Sequence, residues 1–225
     1  MTMSKGILLV DKAQGSNSFR LVSILRRLTK IEKIGHSGTL DPFATGLMVM
    51  LIGREYTQRS NEFLTSDKEY RATIHLGVAT DSYDIDGEVT ERSNHIPTSS
   101  DIDAALQLFQ GEILQIPPMF SAKKVQGKKL YDLARQGITI ERQPVLVRVQ
   151  IEKIRYEYPE LEIQVSCSKG TYIRSLAHDI GKALGTCAHL SSLTRLRSGG
   201  FHLKDAVAQN LLQPGFDLSP YLVQL

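Results

Sequence analysis

The pattern of hydrophobic and polar positions predicts an α+β chain in which strands outnumber helices. Alternating patterns, typical of half-buried strands, run through Tyr70–Val78, Val145–Ile151 and Leu161–Cys167. Continuous apolar runs at Gly6–Val10 and Leu47–Ile52 predict buried strands. Because several of these segments look connected as hairpins, we expect a mixed, largely antiparallel sheet flanked by helices rather than a doubly wound fold.

Helical spacing of apolar residues predicts a smaller number of helices. The predicted helices are Ser18–Thr29, Asp101–Phe109, Lys129–Gln136 and a segment from Ile173 to Leu184. Ser16, Asn17 or Ser18 can cap the first of them, and glycines follow the other three. We find no internal repeat, low-complexity tract or obvious linker.

Composition places the chain among ordinary globular proteins. It has 225 residues, of which 41% are hydrophobic and 23% charged, which excludes disordered, collagen-like and coiled-coil classes. The longest apolar run, Leu47–Ile52, is too short for a membrane span, and the N-terminus does not resemble a secretory signal. Cys167 and Cys187 are too few for a disulfide framework or a zinc cluster. We therefore expect a reducing, cytoplasmic location.

Basic residues are concentrated in three segments, although the net charge is only +3. Arg20–Lys33, Lys123–Arg135 and Lys169–Arg197 each contain five basic residues against one acidic residue. Each segment alone is explained by a solvated helix face or loop. Two of the three lie beside the candidate chemical loops described next, which favours a common surface for a polyanion.

The loop Gly35–Gly46 is the most unusual stretch of the sequence. Its three glycines allow backbone conformations that other residues rarely adopt, and Pro42 directs Asp41 toward an extended conformation. A carboxylate held in this way can act as a nucleophile or a general base. The alternative, which spacing alone favours, is that Asp41 only caps a turn.

A second candidate begins where the strand ending at Cys167 meets a helix. Helix N-termini attract anions, and Lys169 and Arg174 add positive charge there. Arg174 lies at the edge of the apolar stripe, from which its guanidinium can reach a carboxylate or a phosphate. A structural pairing with Asp179, or with solvent, is the alternative.

Tyr70 is the third candidate, because the alternation places it on the apolar face of its strand. A buried tyrosine needs a partner for its hydroxyl group. Most such residues belong to the core, whereas a ring beside an open loop can stack on a base.

Several familiar motifs are missing from the sequence. It contains neither a phosphate-binding P-loop nor a dinucleotide-binding glycine pattern, and the segment Gly35–Gly38 is too short for a nucleophile elbow. The segment Asp84–Gly87 lacks the key carboxylates of a calcium loop, and the histidines show no metal-ligand spacing. We therefore expect no metal and no cofactor.

Six segments together resemble the TruB family of tRNA pseudouridine synthases. They occur in the family's order and approximate spacing between Leu8 and about Arg197: LLVDKAQG, KIGHSGTLDPFATG, DKEYRATIHLG, TDSYDIDGE, IPPMFSAKKVQGKKLYDLARQG and CSKGTYIRSLAHDIG. The resemblance implies the pseudouridine synthase catalytic fold with an RNA-binding cleft. It also implies isomerisation of a uridine in the T loop of tRNA, position 55 in tRNA numbering, without a cofactor.

The resemblance also implies roles for individual residues. Asp41 matches the essential aspartate, Tyr70 the tyrosine that stacks on the flipped uracil, and Arg174 the arginine that pairs with the catalytic carboxylate. His36 matches a histidine that helps to hold the opened T loop, and Asp84 matches a polar partner in the cleft. Further RNA contacts are expected from Gly38, Thr39, Lys123, Lys124, Lys128, Lys129, Lys169 and Tyr172.

The same resemblance predicts the domain organisation. Residues 1–205 would form the catalytic domain, in which residues 116–137 are a mobile, basic insertion that closes on RNA. Residues 206–225 would be a short tail without the PUA domain that many relatives carry. Ala13 replaces the proline usual in the family, which predicts only local softening of its loop. We expect a monomer with tRNA as partner and no membrane association.

Two other functions remain open at this stage. One is a non-catalytic module of the same fold that binds tRNA or helps it to fold. The other is a glycosidase-like hydrolase, which needs a pair of carboxylates, whereas the sequence near Asp41 supplies one. Within the pseudouridine synthase hypothesis, the sequence does not choose between attack of Asp41 on the sugar and abstraction of a proton from it.

Overall fold

The computed structural model describes residues 5–121, 123–125 and 127–224, and only the backbone of Lys124, Val125, Lys128 and Lys129. The chain divides into two compact units. The first contains the residues up to Arg71 together with those from Leu193 onward, and the second contains Ala72–Ser192.

Within the described residues, strands are more numerous than helices. The strands are β1 (Gly6–Lys12), β2 (Ile34–His36), β3 (Thr45–Ile52), β4 (Lys68–Leu76), β5 (Val78–Thr80), β6 (Val89–Arg92), β7 (Gly111–Gln115), β8 (Lys124–Val125), β9 (Lys128–Lys129), β10 (Val145–Glu157), β11 (Glu160–Cys167), β12 (Ala188–Ser198), β13 (Phe201–His202), β14 (Val207–Ala208) and β15 (Leu222–Val223). The α-helices are α1 (Ser18–Thr29), α2 (Arg54–Thr57), α3 (Ser60–Leu64), α4 (Ser99–Gln107), α5 (Leu130–Ala134) and α6 (Ile173–Ala183). Single 3₁₀ turns occur at Leu203–Asp205, Gln209–Leu211 and Ser219–Tyr221.

Eleven of the described strands form one mixed sheet, which confirms the predicted α+β class. In the first unit the strand order is β14-β1-β3-β12, and the short strands β15, β2 and β13 pair with β1, β3 and β12. In the second unit, which contains residues 72–76 of β4 and 188–192 of β12, the order is β12-β4-β11-β10-β7. The pairing is antiparallel for β1–β3 and β10–β11 and parallel for β3–β12 and β1–β14.

The central strands of the first unit are buried on both faces. Almost every residue of β1 and β3 is inaccessible to solvent, as expected for continuous apolar runs. One side of this pair forms a core cluster of Ile7, Leu9, Leu47, Val49, Leu51 and Tyr56. Burial on both faces makes β1 and β3 a rigid support for the loop that precedes β3.

Residues 206–225, expected to be a tail, contribute two strands to the first unit. Val207 in β14 pairs with Val10, and Val223 in β15 pairs with Ile7. The Tyr56 hydroxyl donates a 2.7 Å hydrogen bond to the side-chain carbonyl of Gln224. The end of the described chain is therefore part of the sheet of this unit.

Helix α1 has the bounds predicted from its apolar spacing. The Asn17 side chain accepts a hydrogen bond from the Arg20 backbone N–H at 2.8 Å, which satisfies one of the first amide groups of the helix. Lys30 ends the helix in a left-handed conformation. The inner face buries Leu21, Val22 and Leu25.

The second unit is built on the long antiparallel pair of β10 and β11. The residues of β11 alternate between buried and half-buried positions, the period expected for a sheet with one covered face. Helix α6 buries one face, including Leu176, Ala177 and Ile180. Helix α4 contacts both α6 and β10.

The insertion predicted at 116–137 contains the backbone hairpin β8–β9 and the short helix α5. It has a small core of its own, in which Met119, Leu130 and Leu133 pack together with Ala134 and Ile140. Its closure on RNA stays a prediction.

Candidate active site

Asp41 lies in the first unit, in the loop between β2 and β3. Leu40 and Phe43 on either side of it are each only 4% exposed, so they anchor the loop. Asp41 itself is half-buried, whereas Thr39 and Pro42 are exposed. The Ala44 N–H donates to the Asp41 carbonyl at 3.1 Å and closes a turn. The loop therefore holds Asp41 between two buried anchors.

Two buried cations donate hydrogen bonds to the backbone of this loop and its neighbours. The Lys12 ammonium donates to the backbone carbonyls of Ser16 and Pro42 at 2.7 and 3.2 Å. The Arg195 guanidinium donates to the carbonyls of Leu47 and Gly38 at 2.7 and 3.2 Å. Because both side chains are essentially inaccessible, these hydrogen bonds fix the loop backbone on either side of Asp41.

The same two cations determine the electrostatics around Asp41. Burial is the main cause that lowers the pKa of Lys12 to about 8. The neighbouring Asp41 carboxylate raises this pKa, and the Arg195 guanidinium lowers it. Lys12 is therefore within electrostatic range of both groups. Burial and the neighbouring Arg195 also lower the pKa of His36, so His36 is a neutral imidazole at neutral pH and offers one donor and one acceptor.

Gly46 allows Arg195 to approach the loop. It pairs with Arg195 in the β3–β12 ladder and has a φ of 96°. A Cβ atom at this position would lie 2.5 Å from the Arg195 carbonyl oxygen, so only glycine fits. Gly38, whose carbonyl accepts from Arg195, also has a left-handed φ of 95°.

Tyr70 lies on β4 in the first unit and is 8% exposed. The burial of β4 alternates along the strand, so Tyr70 is on the covered face, as predicted. Its role as a stacking platform for a base stays a prediction.

Arg174 and Asp84 form a buried ion pair in the second unit. The distance between Arg174 Nη1 and Asp84 Oδ2 is 3.3 Å, and both side chains are more than 90% buried. Arg174 also donates to the backbone carbonyls of Ser82 and Phe120 at 3.0 and 2.7 Å. Asp84, not the alternative Asp179, is therefore the carboxylate that pairs with Arg174 in this unit. Since Asp41 belongs to the other unit, its expected pairing with Arg174 stays a prediction.

The Asp84 carboxylate is held by its own turn. Its Oδ1 accepts from the Ser82 hydroxyl at 2.6 Å and from the Asp86 N–H at 3.1 Å. The Thr80 hydroxyl donates to the Asp84 carbonyl at 2.7 Å. These bonds orient the carboxylate toward Arg174.

Helix α6 contacts this turn at a second point, one helical turn beyond Arg174. The His178 ring stacks on Tyr83 with centroids 3.9 Å apart and ring planes 11° from parallel. Tyr83 has a φ of 64°, a left-handed conformation that is unusual for a tyrosine. Arg174 and His178 are four residues apart and lie on one face of α6, so together they clamp the turn that carries Asp84.

Tyr172 immediately precedes α6 as its N-cap and is fixed by Gln115. Its N–H donates to the Gln115 side-chain carbonyl at 2.8 Å, and the Gln115 amide donates to the Tyr172 carbonyl at 3.0 Å. Gln115 is 2% exposed, so this reciprocal pair positions the start of the helix. Lys169 in the preceding turn is exposed.

Residues 26–173 match the family model described as TruB family pseudouridylate synthase, N-terminal domain. Residues 174–214 match the model described as tRNA pseudouridylate synthase B C-terminal domain. The chain belongs to the TruB family. Membership makes it a pseudouridine synthase, an isomerase that acts on RNA.

Two relatives cover most of this TruB-family chain. The protein named tRNA pseudouridine synthase B of Chlamydia pneumoniae is 58% identical over 98% of this chain and 94% of its own length. The protein of the same name from Protochlamydia amoebophila is 60% identical over 90% of this chain and 78% of its own length.

A solved structure also has the fold of this TruB-family chain. The structure titled "Crystal Structure of a Cbf5-Nop10-Gar1 Complex" contains a chain that is 30% identical, with a TM-score of 0.73 over 93% of this chain. The present chain spans 54% of the length of that chain.

The structure assigns the TruB motif residues to two groups. Asp41, His36, Gly38, Thr39 and Tyr70 belong to the first unit. The second unit contains the remaining predicted site residues, namely Asp84, Arg174, Lys169, Tyr172 and the insertion lysines Lys123, Lys124, Lys128 and Lys129. Lys123 is half-buried. The side chains of Lys124, Lys128 and Lys129 lie outside the described residues.

The sequence analysis did not identify three side chains that support the site in this TruB-family chain, namely Lys12, Arg195 and Gln115. Lys12 occurs in the DKAQG motif, which could have identified it, although its apolar surroundings give no hint of a buried ammonium. Arg195 and Gln115 stand in segments without a motif, so no sequence signal separates them from surface residues. All three act by hydrogen-bonding backbone carbonyls or amides at the candidate site.

Neither a metal-ligand cluster nor a membrane-spanning helix occurs in the part of the chain that the structure describes. No group of three or more His, Cys, Asp or Glu side chains within it is arranged to hold a metal ion. No helix within these residues is long and apolar enough to cross a membrane.

Acidification will destabilise the folded protein through His178. Burial, with a smaller effect of Lys182, lowers the pKa of His178 to about 4, from an ordinary value of 6.5. As the pH falls through this interval, the unfolded chain takes up a proton that the folded chain does not bind, so the free energy of unfolding decreases. His178→Gln removes the imidazole that takes up this proton. The unfolding free energy of the wild type minus that of the variant, measured by urea titration, will therefore decrease from about pH 7 to about pH 5.

His202 provides the control for this measurement, because it is exposed. His202→Gln is compared with the wild type over the same pH interval. Burial raises the pKa of the neighbouring Asp179, but this carboxyl is present in wild type and variant and cancels in the difference. A constant difference between wild type and His178→Gln would show that the stacked imidazole does not resist protonation.

Proposed function

We propose that the chain isomerises uridine to pseudouridine in tRNA, at position 55 of the T loop. The observation that carries this proposal is the 58% identity, over 98% of the chain, to a protein named tRNA pseudouridine synthase B. The position in tRNA comes from the resemblance of the six sequence motifs to the TruB family.

The reaction needs no external reactant. The bond between C1′ of the ribose and N1 of uracil breaks, the base rotates, and C1′ bonds to C5. The hydrogen on C5 leaves to solvent and N1 acquires a proton, so atoms and electrons balance within the substrate. The enzyme therefore has to supply base extrusion, a group that acts on the sugar, and a pocket that retains the free uracil.

We assign to Asp41 the role of the group that acts on the ribose. Its loop is fixed by the Leu40 and Phe43 anchors and by backbone hydrogen bonds from Lys12 and Arg195. Fixed geometry of this kind lowers the entropy cost of reaching the transition state. The two buried cations also make the loop an electropositive environment, which suits a carboxylate and an incoming phosphodiester backbone. Attack on C1′ and abstraction of a ribose proton both remain compatible with this placement.

The target base has to leave the stack of the T loop, which costs roughly a few kcal/mol. Stacking on an aromatic ring offsets about 1–3 kcal/mol per base, and we assign this role to Tyr70. We assign the neutral imidazole of His36 to a hydrogen bond with the opened loop. The Arg174 guanidinium, oriented by Asp84 and by the Ser82 and Phe120 carbonyls, is assigned to the catalytic carboxylate.

A tRNA-binding or folding module without catalysis is the competing function. The presence of Asp41, Tyr70 and Arg174 favours an enzyme, although help with folding can coexist with catalysis. The monomeric state and the cytoplasmic location predicted from the sequence stay predictions.

The purified chain will release tritium from tRNA transcribed with uridine labelled at C5. Release follows from the substitution of the C5 hydrogen by the sugar. A transcript in which cytidine replaces uridine 55, with all other uridines labelled, is the matched control. We expect release of one tritium per tRNA from the first transcript and none from the second. Release from both would disprove the assignment to position 55, and release from neither would leave the non-catalytic module.

A further inference from the structure

The solvent face of α1 combines cations with one aromatic ring. Successive residues of an α-helix are rotated by about 100°, which places Phe19, Arg20, Arg26 and Arg27 within an arc of about 120°. The buried Leu21 and Leu25 lie on the opposite side. Lys30, which ends the helix, is also exposed. We call Phe19, Arg20, Arg26, Arg27 and Lys30 the α1 ridge.

The cations of the ridge have no acidic partners among the residues that the structure describes. Helix α1 contains no Asp or Glu, and within the described ranges none of the four ridge cations forms an ion pair. Arg26 donates to the backbone carbonyl of Glu32, at 3.0 Å, rather than to its carboxylate. An ordinary solvated helix usually intersperses charges of both signs, so this face is unusually positive.

Helix stability explains the presence of only some of the ridge residues. Arg26, Arg27 and Lys30 lie at the C-terminal end of α1, where cations interact favourably with the helix dipole. Arg20 lies in the first turn, where a cation is unfavourable. The features that stability does not explain are therefore Arg20 and its neighbour Phe19, both at the N-terminal end.

Phe19 is 71% exposed, more than any other large apolar side chain among the described residues. Its exposure leaves apolar surface in water that the described residues of this chain do not cover. An exposed aromatic ring beside cations is the combination that single-stranded nucleic acid binds, since bases stack on the ring while phosphates meet the cations.

The N-terminal end of the ridge is joined directly to the candidate catalytic loop. The Gly15 N–H donates to the Pro42 carbonyl at 2.8 Å, and Lys12 bonds the carbonyls of both Ser16 and Pro42. Helix α1 begins two residues after Ser16. The ridge therefore starts beside the loop of Asp41 and extends away from it for about 18 Å, at 1.5 Å per residue over twelve residues.

We propose that the α1 ridge is an RNA-binding surface that takes the sugar-phosphate backbone on either side of the extruded uridine, with a base or ribose of that strand against Phe19. The proposal rests on the proposed function, because it assumes an RNA substrate at Asp41. RNA is favoured over an anionic membrane because the apolar face of α1 is buried in the core and cannot insert into lipid.

The test compares two variants with the same net charge. The ridge variant carries Arg20→Gln, Arg26→Gln and Arg27→Gln. The control variant carries Arg54→Gln, Arg59→Gln and Lys204→Gln, three exposed cations elsewhere in the first unit. Binding to tRNA is measured from 50 to 300 mM salt, together with single-turnover tritium release.

The ridge variant will bind tRNA at least tenfold more weakly near physiological salt, and its salt slope will fall by about 0.7–0.9 for each phosphate that it no longer neutralises. The control variant will keep the wild-type slope to within about 0.9, the value of one phosphate. At limiting tRNA, single-turnover tritium release by the ridge variant will fall in step with its affinity. Raising the tRNA concentration will recover release, because Asp41 is unchanged. Phe19→Ala will weaken binding about fivefold or more and Phe19→Tyr will not, since both rings stack.

Equal slopes for the ridge and control variants would overturn the proposal. So would a ridge variant that loses binding to vesicles of anionic lipid while its tRNA affinity is unchanged. The proposed function is judged separately, by tritium release from the wild type. Unfolding free energies equal to that of the wild type will show that the variants are folded.

Discussion

Asp41→Asn will abolish pseudouridine formation while tRNA still binds. Asparagine has nearly the same shape as aspartate, so the anchors at Leu40 and Phe43 and the backbone bonds from Lys12 remain. The amide can neither attack the sugar nor accept its proton. A positioned base contributes up to about 10⁴-fold to a rate, so we expect a loss on the order of 10⁴-fold in single-turnover tritium release. The dissociation constant for tRNA will change by less than about threefold.

The control for this variant is Asp205→Asn, which removes an exposed carboxylate of the first unit and will keep the wild-type rate. Turnover of Asp41→Asn near the wild-type rate would remove Asp41 from the chemistry and with it our assignment of the site. The same variant also separates the two functions that the sequence left open. A cell that needs only tRNA binding or folding from this protein will be rescued by Asp41→Asn, and one that needs pseudouridine will not.

Arg174→Met will produce the largest loss of stability among the predicted site residues, together with loss of activity. It leaves the Asp84 carboxylate buried without its guanidinium and two carbonyls without their donor. Removing one partner of a buried ion pair costs roughly 3–5 kcal/mol. Urea unfolding at neutral pH measures this change, and tritium release is measured at 25 °C.

The double variant Arg174→Met/Asp84→Asn distinguishes a catalytic from a structural role for Arg174. It removes the uncompensated charge, so we expect it to regain a substantial part of the lost stability. Tritium release will not return, because no guanidinium is available for the catalytic carboxylate. Recovery of activity in step with stability would show that Arg174 only holds the turn of Asp84 in place.

Elements whose residues interact mainly with near neighbours were predicted well. Helix α1 has the predicted bounds, since its cap at Asn17 and its apolar spacing are both local features. The strands β10 and β11 follow their alternation, although β10 continues to Glu157, beyond the predicted end. The loop of Asp41 was recognised from its glycines and Pro42 because these residues restrict the backbone directly.

Strand β12 was not predicted, and its sequence explains why. Arg195 and Ser198 are buried within it, so a pattern-based prediction takes them for surface positions. Arg195 is satisfied by the carbonyls of Leu47 and Gly38, which come from segments about 150 residues away in the chain. The strands β14 and β15 were missed for a related reason, because two-residue strands form only where β1 offers an edge.

The family, the α+β class and the identity of the residues expected to act on RNA all follow from the order of amino acids in the chain. Motif residues and local periodicity are properties of consecutive positions, so they need no coordinates. The groups that hold those residues are visible only in the folded chain. Lys12 and Arg195 donate hydrogen bonds to backbone carbonyls of the Asp41 loop, and Asp84 forms an ion pair with Arg174. These choices depend on distant carbonyls and carboxylates that meet only when the strands pair and the charges are buried, because buried polar groups must find partners wherever the fold places them.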